Sequence, residues 1–110
     1  MIIGSPQVHG DLDKNILKRH IKLHLPKVQY CYEHELQGKP TLDGTVTVQF
    51  LVGEDGLVIS STASGVDDKV ASCIAGVFKA IEFPAAKFGS RVQVNYPITL
   101  HPNVVIEENR

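Results

Sequence analysis

Thr45-Val46-Thr47-Val48-Gln49-Phe50-Leu51-Val52 is followed by Gly53-Glu54-Asp55-Gly56 and then by Leu57-Val58-Ile59-Ser60-Ser61-Thr62-Ala63. Val46, Val48, Phe50 and Val52 alternate with Thr45, Thr47, Gln49 and Leu51, the period of a strand with one buried face. Gly53 to Gly56 is turn chemistry, with Gly56 free to take a positive φ. Beyond it Leu57, Ile59, Ser61 and Ala63 alternate with Val58, Ser60 and Thr62. The stretch is a β-hairpin, and the rest of the chain is expected to pack against it.

Downstream, Val66, Val70, Cys73, Ile74, Val77, Phe78 and Ile81 recur at helical spacing behind Asp67 or Asp68 as N-cap. Phe83-Pro84 stops this helix, and 85–90 reads as a loop. Val92, Val94, Tyr96, Ile98 and Leu100 then alternate with Arg91, Gln93, Asn95, Pro97 and Thr99, which predicts a third strand. Upstream, Leu12, Ile16, Leu17, Ile21 and Leu25 give a first amphipathic helix behind Asp11 or Asp13. Pro26 interrupts it, and Val28, Cys31, Tyr32 and Leu36 restore the period in a second helix that Gly38 and Pro40 end. The order helix, helix, strand, strand, helix, strand predicts an α+β fold. A right-handed crossover then gives a three-stranded antiparallel sheet of order 2-1-3, helices on one face and a wetter face opposite. Residues 1–10 read as a flexible lead-in, 11–100 as the domain and 101–110 as a flexible tail.

The 110 residues carry 43% hydrophobic and 21% charged side chains and a net charge of -1. That describes a globular domain with no global attraction to nucleic acid or anionic membrane. No apolar run is long enough to span a bilayer, and Met1-Ile2-Ile3 followed by Gly4-Ser5-Pro6 is not a secretory signal. Two cysteines, Cys31 and Cys73, are too far apart for a C-x-x-C motif, so spacing leaves two readings open, buried thiols or one disulfide. His20 and His24 stand at i, i+4, but no third metal ligand has fixed spacing and Lys18, Arg19, Lys22 and Lys27 surround them. No metal and no cofactor is expected. No nucleophile–base constellation, phosphate loop or glycosidase carboxylate pair is identifiable, so neither an enzyme nor a small-molecule substrate is expected. The basic helix residues Lys14, Lys18, Arg19, Lys22 and Lys27 lack interleaved aromatics, so no nucleic acid partner is expected either.

The segments Asp43 to Phe50, Gly53 to Val58, Val77 to Pro84 and Val94 to Ile98 resemble the TonB C-terminal domain family. Cys31-Tyr32-Glu33, Cys73-Ile74 and Tyr96-Pro97 are similar to its AgmX/PglI subgroup, named for gliding-motility proteins of myxobacteria. The likeness runs from about residue 11 to 100. It departs from TonB proper in having Ile81 where a tryptophan is usual, and in the two helices before the hairpin, so TonB's receptor specificity does not carry over. The resemblance implies a periplasmic module of an inner-membrane-anchored force or energy transducer that binds an outer-membrane or periplasmic protein segment. A periplasmic setting also favours a Cys31–Cys73 disulfide joining the second helix to the crossover helix.

Such domains commonly accept a partner strand on a sheet edge. Pro97 cannot donate to a ladder, which suits an edge strand. The expected partner-binding residues are Arg91, Val92, Gln93, Val94, Asn95 and Tyr96. The backbone groups of Arg91, Gln93, Asn95 and Thr99 are expected to face outward, unpaired from Arg91 to Asn95, with Gln93 and Asn95 side chains on the wetter face. An alternative reading is a cell-wall (peptidoglycan) binding module using the basic first helix.

Overall fold

The computed structural model of the chain describes residues 2–4, 6–10, 12–85 and 90–101. Its elements are β1 (Ile2–Ile3), β2 (Gln7–His9), α1 (Lys14–Lys22), α2 (Leu25–Leu36), β3 (Gly44–Val52), β4 (Val58–Ser64), α3 (Asp68–Lys79) and β5 (Val92–Leu100). The fold is α+β with an antiparallel sheet, and the predicted hairpin and third strand lie in the order β4-β3-β5. The caps are those the sequence offers. The Asp13 carboxylate accepts from Asn15 N at 2.7 Å, and Asp67 accepts from Lys69 N and Val70 N at 3.0 and 3.2 Å. Pro26 sits in the first turn of α2, where an amide would have no intrahelical partner.

Val46, Val48, Phe50 and Val52 of β3 and the even-numbered residues of β5 are buried beneath the helices. The centre is aromatic: Phe78 of α3 lies 5.4 Å from the Phe50 ring and 5.8 Å from Tyr96, and Phe83 stacks on Phe50 at 5.8 Å. The opposite face carries Thr45, Thr47, Gln49, Gln93, Asn95 and Thr99, with a Thr45–Thr99 hydroxyl hydrogen bond across the strands. Next to α3 the Asp67 carboxyl is held below its usual range, chiefly by the Lys39 ammonium at 2.7 Å and then by the amides it caps.

Three expectations are corrected. Within the expected lead-in, Ile2–Ile3 and Gln7–His9 form β1 and β2 and add to the outer side of β5, so the sheet is wider than three strands. Backbone hydrogen bonding gives that segment its order, and Val8 packs partly buried against the core. Crossover helix α3 ends at Lys79, and Ile81 is buried from the strand-like stretch that follows, where Glu82 bridges Leu57 and Phe83 N–H donates to the Gly56 carbonyl at 2.9 Å. Cys73 and Val77, assigned to the buried stripe, are exposed and half-buried respectively. The buried face of α3 turns toward Ala71, with Val70, Ile74 and Phe78. At about 100° per residue this leaves Cys73 and Val77 on the rim. The tail expected at 101–110 lies outside the described residues apart from His101, and most of the predicted 85–90 loop does too.

Candidate functional site

The edge assigned to a partner is already occupied. Gln7, Val8 and His9 lie opposite Asn95, Val94 and Gln93, and Ile2 and Ile3 lie opposite Thr99 and Ile98. The two registers differ by one residue, so the N-terminal segment carries a bulge opposite Tyr96-Pro97. Pro97 explains where the ladder breaks. Its carbonyl accepts from Gly4 N at 3.0 Å, so Pro97 faces outward as expected, and its missing donor falls inside the bulge. By alternation the backbone groups of Gln93, Asn95 and Thr99 face the same way and meet β1 and β2. The expectation that the outward groups from Arg91 to Asn95 are unpaired within the monomer fails at Gln93 and Asn95, which leaves no open β5 edge there for direct strand addition. Of the six residues proposed for that contact, Val92, Val94 and Tyr96 are buried under the helices, Arg91 and Gln93 are exposed, and Asn95 is half-buried with its Oδ1 buried and unpartnered.

The N-terminal segment reaches β5 because Gly10 lets the chain turn closely over it. Gly10 has φ 142°, and a Cβ there would stand 2.8 Å from the Arg91 carbonyl oxygen and 3.0 Å from Val92 Cα. Gly10→Ala is expected to detach β2 while leaving the β3–β4–β5 core folded. Hydrogen exchange would then show the Gln93 and Asn95 amides losing protection and those of β3 keeping it.

The sheet is open on its other side. β5 presents its even-numbered residues' backbone groups to the even-numbered residues of β3, so the odd-numbered residues of β3 turn theirs toward β4. Thr47, Gln49 and Leu51 lie opposite Ser64, Thr62 and Ser60, which leaves Ser61 and Ala63 with N–H and C=O pointing away from the sheet. Among the described residues no hydrogen bond meets them. β4 reads Val58-Ile59-Ser60-Ser61-Thr62-Ala63-Ser64, with no charge and no proline, the devices that usually blunt an edge. Leu57 and Ile59 beside it are about half exposed, at 50% and 48%. This edge was not singled out from sequence, because the alternation of 57–63 does not say which side of the hairpin another strand will take.

The histidines do not gather around a metal. His20 Nδ1 contacts the Ile16 carbonyl at 2.9 Å, while His24 sits in the turn ahead of α2, its pKa lowered by burial and by Lys27 and His20. Among the described residues no three His, Cys, Asp or Glu side chains are grouped to hold a metal ion. Cys31 and Cys73 are bridged, Cα to Cα 5.8 Å, joining the buried face of α2 to the rim of α3. Fold and site together define a disulfide-linked α+β domain whose β4 edge is open at Ser61 and Ala63. No protein-family model matches the chain, and no curated protein or solved structure compared with it is similar.

Proposed function

We infer that this chain is a protein-binding adaptor module of TonB C-terminal type, acting in the periplasm as part of an inner-membrane-anchored force or energy transducer. It engages an extended segment of an outer-membrane or periplasmic protein. The observation that carries this reading is the open, uncharged β4 edge, and strand addition there replaces the expected contact at β5. The occupant is an extended peptide whose backbone bonds to Ser61 and Ala63 and whose apolar side chains meet Leu57 and Ile59. The chain's own β1 and β2, added to β5 at the far side of the same sheet, are an intramolecular instance of that mode. The setting is supported by the Cys31–Cys73 bridge, since disulfides persist where the environment is oxidising.

The test is capture of partners from a bacterial envelope extract by the wild-type domain and by Ala63→Pro. That substitution removes an outward N–H without touching the inward ladder to β3. Loss of capture by Ala63→Pro, with circular dichroism and melting close to wild type, is the expected result. Equal capture by both proteins would exclude β4 as the contact.

A further inference from the structure

A groove of about 420 Å³ separates α1 from β5 and the start of α2. Asn15, Lys18, Arg19 and Lys22, spaced along one face of α1, form one wall, and Leu25 and Tyr96 stand across from them. Among the described residues no carboxylate lines it. None of the three cations has an ion-pair partner among the described residues, where the ion pairs lie elsewhere, at Lys39–Asp67, His34–Glu35 and His101–Asp43.

Tyr96 makes the groove more than a basic helix face. Its side chain is only 2% exposed, its ring packs on Phe78, and its hydroxyl has no hydrogen-bond partner among the described residues. The ring is buried while the hydroxyl is not among the sealed, unpartnered polar atoms, so it is open to a partner from the groove that Tyr96 lines. Burial raises its pKa above the ordinary value, so the hydroxyl keeps its proton at neutral pH and can donate. The groove therefore offers an ammonium pair, a guanidinium, a phenol and a side-chain amide, and only the amide and phenol also have an acceptor.

We propose that this groove binds a phosphate ester, the phosphate held by Lys18, Arg19 and Lys22 with the Tyr96 hydroxyl donating from below, and the organic part lying against Leu25. A carboxylate has one charge and two oxygens, too few for three cations and a phenol. A phosphomonoester carries about -1.5 to -2 charges on three terminal oxygens and matches them. The ester is either a free small molecule or the headgroup of a phospholipid. This site is independent of strand addition at β4, which lies beyond β3 at the sheet edge away from β5.

The test follows backbone amide shifts of isotope-labelled protein during titration with inorganic phosphate and with glycerol 3-phosphate, at neutral pH and fixed ionic strength, with chloride as control. Saturable shifts centred on Lys18, Arg19, Lys22 and Tyr96 are expected, absent with chloride. Arg19→Gln, a surface change, is expected to weaken binding roughly tenfold, as loss of a charge-assisted hydrogen bond does. Tyr96→Phe keeps the ring in place and is expected to weaken it several-fold, with an otherwise wild-type spectrum. A second arm sediments the protein with phosphatidic acid vesicles against phosphatidylcholine vesicles. Co-sedimentation with the first alone, reduced in Arg19→Gln, assigns the lipid source; none, with glycerol 3-phosphate still bound, assigns the free ester. Absence of saturable shifts with either small anion, the same shifts with chloride, or undiminished affinity in both variants would overturn the proposal.

Discussion

Reducing the Cys31–Cys73 bridge is expected to lower the melting temperature by roughly 15–25 °C, on the usual scaling of a few degrees per kcal/mol for a domain of this size. The bridge closes a loop with a sequence separation of 42 residues. Removing a cross-link of that length returns about 4 kcal/mol of conformational freedom to the unfolded chain, on the chain-entropy account. That is a large share of the roughly 5–15 kcal/mol that holds a domain together. Four elements lie wholly or partly within the loop, the second half of α2, the hairpin β3–β4 and the first half of α3, so the link restrains the middle of the chain. Thermal melts with and without reductant, repeated on Cys31→Ala/Cys73→Ala, check it. The double variant should melt with the reduced protein, and a melt superposing on the oxidised wild type would contradict the expectation.

Phe78→Ala is expected to cost about 3–5 kcal/mol, the range for deleting a buried aromatic ring. Phe78 is fully buried and sits between Phe50 of β3 and Tyr96 of β5, with ring centroids 5.4 and 5.8 Å away. It is the point where the crossover helix meets both central strands, so the cavity opens where neighbours can least collapse. Phe78→Leu retains much of the apolar volume and should lose a smaller part. Urea unfolding read by circular dichroism separates the two, and comparable midpoints for Phe78→Ala and wild type would contradict the central placement of this ring.

The hairpin, crossover helix and third strand were legible because each is long enough for its period to declare itself. β3 and β5 each run nine residues and show four or five buried positions in alternation. β1 and β2 are two and three residues long, too short for any period, and their order comes from backbone bonds that no side-chain pattern records. Pro97 was the one residue that spoke of that side of the sheet, and it located the interruption correctly without revealing that the chain's own N-terminal segment lies there. The α3 stripe was misjudged by part of a turn because Ala71, small but buried, was not counted among its apolar positions. The groove behind α1 was half legible. Its cations stood out as a basic patch, but Tyr96 opposite them is contributed by a strand more than seventy residues away, and only the fold brings the two together.

Under tension the N-terminal strands and the loop closed by the cystine behave differently. A pull on the N-terminus meets β1 and β2 lying antiparallel along β5, and their few bonds open in sequence from Ile2 toward His9, as a zipper does. The strands beyond that point cannot pay out in full, because the 42 residues spanned by the cystine are shorted out of the load path. At about 3.4 Å per residue, roughly 140 Å of slack is withheld. In the role proposed above, the oxidised domain would be a coupling of limited stretch, yielding first at its N-terminal strands and keeping its hairpin whole at extensions that would draw the reduced chain out to full length.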